Sequence, residues 1–139
     1  MAKRTRTTER QVWELNPTGF DAALEALGIE WKVVVRRTDA ARSGKLGHCR
    51  PIFTDGEWVH NLTVYKYASH KDAVKVLLHE LRHAWQFEEL HEREPDVHLY
   101  TAWNRWEDTK GPYWDRPIEV DARKAEERYP EFMDMVVMN

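Results

Sequence analysis

Residues 69–90 read SHKDAVKVLLHELRHAWQFEEL, and the fold is decided by whether this stretch is one helix. Apolar residues recur at Val74, Leu77, Leu78, Leu81 and Trp85, the three-and-four spacing of an amphipathic helix. Ser69 suits the N-cap position, and Asp72 three residues later makes a loose capping box. The spacing predicts a helix over about 70–90. Inside it lies His79-Glu80-Leu81-Arg82-His83, an H-E-x-x-H sequence. With His79 at zero on a helical wheel, His83 falls near 40 degrees and Glu80 near 100, while the apolar stripe lies between about 160 and 260. Such a helix docks on a core with one side and presents two imidazoles and a carboxylate on the other. Imidazoles one turn apart can reach one metal ion, and the adjacent carboxylate is placed to take a proton from a water on it. The competing reading is a solvated, charged helix face.

Outward from the helix, Pro17 opens a short helix ending near Gly28, with Phe20, Ala23, Leu24 and Leu27 as its stripe. Trp31 to Arg37 is β-branched and reads as a strand. His48 to Thr54 reads as a second strand, which Pro51 confines to an edge or a bulge. Asp55-Gly56 marks a tight turn. Trp58 to Tyr67 reads as a third strand, taken as the open edge of the sheet, with His60, Leu62 and Val64 on one face. Past Glu94-Pro95-Asp96, residues 96–106 suggest a weak helix. Pro117 starts a last helix through IEVDARKAEERY, which Pro130 ends or kinks. Strands on one side and helices on the other give an α+β layer architecture: a small mixed or antiparallel sheet of about three strands packed on the H-E-x-x-H helix and a second, ligand-bearing helix.

The composition bounds the rest. A length of 139 residues with 42% apolar content suits one domain, taken as 11–139, behind a basic flexible tail at 1–10 carrying Lys3, Arg4, Arg6 and Arg10. Of the seven tryptophans, some belong to the core and others suit a cleft wall. A net charge of −3 argues against nucleic acid as the partner. Glu88 to Glu94 reads as a solvated, acidic helix end. The single cysteine, Cys49, excludes an intrachain disulfide and a cysteine zinc ribbon. No apolar run suits a membrane span or a signal core, so the expected compartment is the cytoplasm.

A catalytic zinc site takes three protein ligands. Glu89 sits ten residues after His79, but its helix is unbroken at Gln86, where a chain reversal needs glycine. His91 and His98 would complete a three-histidine set. Glu119, in Pro117-Ile118-Glu119-Val120-Asp121-Ala122, opens a helix that could cross the metal helix; as a bland alternative it is a carboxylate favoured by the helix dipole. The pair of motifs, about 36 residues apart, resembles the small gluzincin-type metallopeptidases, in particular the ImmA/IrrE-type and phage-borne zincin domains, over about residues 58–128. The resemblance implies a zincin-like fold. It also implies Zn2+ held by His79, His83 and Glu119, with Glu80 as general base in hydrolysing a protein or peptide substrate. Arg123 stands where such sites often carry Asp or Asn to orient a zinc histidine, which leaves that task to Asp121 or a backbone carbonyl. Donors expected for the oxyanion are His98, Tyr100, Tyr113 and Arg116. The alternatives are a zincin-like binding module without general proteolysis, and a nucleic-acid-associated protease using the basic N-terminus, which the absent zinc ribbon disfavours.

Overall fold

A computed structural model describes residues 12–40, 46–106 and 116–138. The expected basic tail and Tyr113 lie outside the described residues. In chain order the elements are β1 (Trp13–Leu15), α1 (Pro17–Ala26), β2 (Lys32–Thr38), β3 (Gly47–Thr54), β4 (Glu57–Tyr65), α2 (His70–Arg93), α3 (Leu99–Trp106), α4 (Pro117–Ala125), two 3-10 segments (Glu126–Glu131 and Met133–Met135) and β5 (Val136–Met138). Among the described residues the architecture is α+β, with four helices, a three-stranded sheet and a two-stranded ribbon.

Residues 70–93 form one unbroken helix because every local signal agrees. Ser69 Oγ accepts a hydrogen bond from Asp72 N at 3.2 Å and closes the first turn. At the other end Glu94 leaves the helical region, at φ −130° and ψ 64°, as expected of a residue before proline. Val74, Leu77, Leu78 and Leu81 are buried. They join Trp13, Phe20, Leu62, Val64 and Met135 in the core. The opposite side of α2 is not open either. His83 and Glu80 are buried, covered where β3, α3 and α4 pack on the helix.

The sheet runs β2-β4-β3, with β2 parallel and β3 antiparallel to β4. The β3–β4 hairpin turns through Asp55 and Gly56, both at positive φ (51° and 82°), the backbone of a type I′ turn. The strand expected at Trp58 to Tyr67 is not the open edge: β4 is the centre of the sheet. Pro51 supplies the reason. It has no N–H and cannot be bonded on both sides, so β3 takes an outer position and β4 the inner one.

Three further features depart from the sequence reading. β1 and β5 form a two-stranded antiparallel ribbon joining the two ends of the described chain. Trp13, fully buried there, donates from Nε1 to Tyr65 O at 2.7 Å. The last helix is α-helical only to Ala125; it tightens to 3-10 form over Glu126–Glu131, with Pro130 inside that segment. Glu88 is not a solvated helix-end acid. Its carboxylate accepts from Glu30 N at 2.8 Å and Trp31 N at 3.1 Å, and lies 2.7 Å from Nε2 of the fully buried His60. It pins the start of β2 to α2. Among the described residues, no helix is long and apolar enough to cross a membrane.

Gly47 marks the tightest approach between β3 and α2. A Cβ there would lie 2.8 Å from Val76 Cγ1, 3.0 Å from Thr63 O and 3.4 Å from Glu80 Cγ. Gly47→Ala is therefore expected to lower the unfolding free energy by about 1–3 kcal/mol through overpacking. Urea denaturation would measure it; an unchanged midpoint would show that β3 moves away freely.

Candidate metal centre

The helical pitch of α2 stacks His79 and His83 one turn apart, with ring centroids 4.9 Å from each other. α4 crosses that face and brings Glu119, from its first turn, between them. Glu119 Oε1 is 3.1 Å from His79 Nε2 and 3.3 Å from His83 Nε2, and Oε2 is 3.2 Å from His83 Nε2. Among the described residues, one group of His, Cys, Asp and Glu brings together three donor atoms that could hold a metal ion. It consists of His79, His83 and Glu119, with the donors within 4.8 Å of one another. Glu119 is only 4% exposed. A carboxylate so far from water needs a compensating cation, and a proton on a histidine or a metal ion would each supply one.

The outer nitrogens of both rings are held. His79 Nδ1 lies 2.9 Å from Glu126 Oε2, and His83 Nδ1 lies 2.8 Å from Gln86 Oε1. The Gln86 amide donates from Nε2 to Ile118 O at 3.2 Å and to Asp121 Oδ2 at 2.8 Å. These two bonds consume its NH2 and leave its oxygen for His83. With carbonyl and carboxylate acceptors facing Nδ1, the two rings are oriented so that, on a bound metal ion, each would keep a proton on Nδ1 and offer its Nε2 lone pair to the ion. Asp121 also accepts from Arg82 Nε at 2.7 Å, and the Arg82 guanidinium lies over the Trp85 ring at 3.9 Å. Burial pushes the Asp121 carboxyl upward, but the hydrogen bonds from Arg82 and Gln86 outweigh it and hold the group below its ordinary value.

Without a metal, His79 answers to opposing influences. Burial lowers its pKa, while hydrogen bonds to Glu119 and Glu126, and the Glu80 charge, raise it to about 9. A metal ion entering below that pH displaces a proton.

Several expected residues fall elsewhere. Asp121 does not touch a histidine; it acts on His83 through Gln86. His91 packs edge-on against Trp31 and Trp58, and Glu89 faces a separate cavity with Glu88 and Trp31. His98 is exposed, and its Nδ1 accepts from Tyr100 N at 3.3 Å. None of these three joins the metal group. Arg116 precedes α4 as its N-cap residue and lines the cleft beside Glu80, His83 and Glu119.

Glu126 and Gln86 escaped the sequence reading. The signal was spacing: Glu126 follows Glu119 by seven residues, and Gln86 follows His79 by seven, two helical turns in each case. Glu126→Ala should weaken metal binding about 10–100-fold, the usual cost of removing a group that orients a ligand. Glu126→Gln, which keeps an acceptor for Nδ1–H, should retain most of the affinity. Titration with zinc against a competing chelator measures both, and equal losses would assign Glu126 a purely electrostatic part.

The cleft holds about 320 Å3. Its walls are the Gly47–Cys49 end of β3, Glu80 and His83, and the aromatic side chains of Phe87, Tyr100 and Trp103. Burial, then the Glu80 and Glu88 carboxylates, raise the Cys49 thiol well above its usual range. It is not one of the three converging donors. The chain matches no protein-family model, no curated protein and no solved structure, so the functional reading rests on this geometry.

Proposed function

We propose that this chain is a zincin-like, zinc-dependent metallopeptidase. The observation that carries the reading is the convergence of His79, His83 and Glu119, two of which, His83 and Glu119, line a cleft together with Glu80. Zinc favours a tetrahedral set of nitrogen and oxygen donors at about 2.0–2.2 Å, whose edges are then roughly 3.3–3.5 Å long. Separations of 3.1 to 3.3 Å between Glu119 and the two Nε2 atoms are close to such edges, and the full set of three donors lies within 4.8 Å, so the two imidazoles would draw together on a bound ion. Two histidines and one carboxylate also leave a fourth position open, as a catalytic site requires.

Bound zinc would supply the Lewis acidity that makes a water acidic near neutral pH and polarises a peptide carbonyl. The chain's own groups do the rest. Glu80 takes the proton from the attacking water and passes it to the leaving amine. Gln86 and Glu126 hold the histidine rings so that the centre does not reorganise during the reaction. Arg116, a cation lining the cleft together with Glu80, is the group we assign to meet negative charge on the carbonyl oxygen. The substrate is an extended peptide beside β3, the strand at the cleft.

The test is cleavage of a quenched peptide library by the zinc-loaded chain and by the same protein stripped with a chelator. Activity should vanish on stripping and return with zinc. Stoichiometric zinc without cleavage of any peptide would overturn the peptidase reading and favour a binding module on the same scaffold.

A further inference from the structure

One hydrogen bond orients every backbone group of β3. Tyr65 N donates to Leu46 O at 2.8 Å, and the register continues Gly47↔Val64, His48↔Thr63, Cys49↔Leu62, Pro51↔His60. Hydrogen-bonded and non-bonded pairs alternate along an antiparallel ladder. Leu46, His48, Arg50 and Ile52 therefore turn their amide groups toward β4. Gly47, Cys49, Pro51 and Phe53 turn theirs to the open edge. Gly47 and Cys49 form part of the cleft wall beside Glu80 and His83.

Pro51, the next outward-facing residue, interrupts this edge twice. It has no N–H, and its carbonyl accepts a hydrogen bond from the Tyr100 hydroxyl of α3. Backbone pairing that starts at Gly47 can include Cys49 and must then stop. Across the cleft, Trp103 stacks on Phe87, with centroids 3.7 Å apart and planes at 15°, and stands edge-on to His83 at 6.0 Å. This part of the cleft wall is thus aromatic and flat.

Resting on the peptidase reading, we infer that the cleft takes only a short extended stretch of peptide. That stretch pairs its backbone with Gly47 and Cys49, is halted at Pro51 by Tyr100, and places one bulky apolar side chain against Trp103. Chain ends and small protruding loops meet this requirement. A long strand laid along the whole of β3 does not, because the ladder ends after two outward-facing residues. Tyr100 is a specificity-determining residue in this arrangement, acting by occupying the carbonyl that a longer peptide would use.

The experiment uses hydroxamates and the zinc-loaded full chain, so that binding is read without turnover. Acetohydroxamate probes the metal alone. Two series carrying one to five residues, on either side of the hydroxamate, probe the edge. In one series affinity should rise about five- to tenfold at each of the two residues opposite Gly47 and Cys49, as expected of ordinary backbone hydrogen bonds, with little gain at the residue between them, and go flat beyond the third residue. In Tyr100→Phe, whose zinc stoichiometry establishes that it is folded, the rise should continue for at least one residue more. A preference for Leu or Phe over Ala at the residue nearest the metal should shrink in Trp103→Ala. Affinity that climbs through five residues in the wild type, or an identical length profile in Tyr100→Phe, overturns the inference. If zinc and acetohydroxamate bind but no peptide extension adds affinity, the short-cleft inference fails while the metal centre stands. If acetohydroxamate does not bind the zinc-loaded chain, the metallopeptidase reading fails and takes this inference with it.

Discussion

Glu119→Ala is expected to leave a folded chain that no longer retains zinc. Glu119 touches both Nε2 atoms of the candidate centre, at 3.1 Å and at 3.2–3.3 Å, and it is the group's only anionic donor. Its loss should therefore exceed that of an orienting residue, so affinity should fall by more than about a hundredfold. The helix that carries it should still dock, because Ile118 and Ala122 are buried independently of it. His91→Ala and His98→Ala, whose side chains lie outside the group, should keep full zinc. Metal content after dialysis against a weak competitor distinguishes the three proteins. Zinc lost equally from His98→Ala would refute the assignment.

The same substitution has a second readout in the metal-free protein. A His79 pKa raised from 6.5 to about 9 favours the folded state while the ring is charged there. That stabilisation is fully present below about pH 6.5 and is lost as pH rises toward 9. Metal-free wild type should accordingly be less stable at pH 9 than at pH 6.5, by about 1–3 kcal/mol. Metal-free Glu119→Ala, lacking one of the two carboxylates that hold the proton, should show a smaller difference. Urea unfolding at the two pH values makes the comparison.

Zinc affinity should run the opposite way, weakening as pH falls because the metal competes with the proton on His79. Opposite pH trends for metal-free stability and zinc binding would tie both to one imidazole.

How much of this was readable in advance depended on how local each signal is. α2 was readable because its cap at Ser69, its apolar period and its stop before Pro95 all lie within 27 residues of sequence. The Asp55-Gly56 turn was readable for the same reason. β1 and β5 were not: strands of three residues carry no periodicity, and their partners are more than a hundred residues apart. Glu88 looked solvated because its neighbours in sequence are acidic, whereas its partners are the backbone at residues 30 and 31.

The site divides along the same line. His79, Glu80 and His83 are a local pattern on one helix. Glu119 was suggested by resemblance and by its place near a helix start, and only the crossing of α4 over α2 brings it between the histidines. Glu126 and Gln86 acquire meaning from that crossing alone. So does the reassignment of Asp121 from a histidine partner to a support for Gln86. Arg123, the departure from the resembled pattern, leaves no gap in the histidine supports, because Glu126 one turn further on holds His79.

Glu80→Gln is expected to separate metal binding from chemistry. Glu80 is not among the three converging donors, so zinc should remain stoichiometric. Glutamine is close to glutamate in volume, so the packing against the Gly47 region should survive and the unfolding midpoint should barely move. What disappears is the capacity to accept a proton. General-base catalysis is worth about 10²–10⁴ in rate, and kcat should fall by that factor with KM little changed, since the amide still occupies the same wall of the cleft. The location of Glu80 is what makes the expectation sharp. It is 5% exposed, so bulk water cannot easily substitute for it, and it lines the cleft together with His83 and Glu119. A zinc-loaded Glu80→Gln protein that cleaves the library as fast as wild type would mean that the proton goes elsewhere, and the proposed division of labour between Glu80 and the three donors would be wrong.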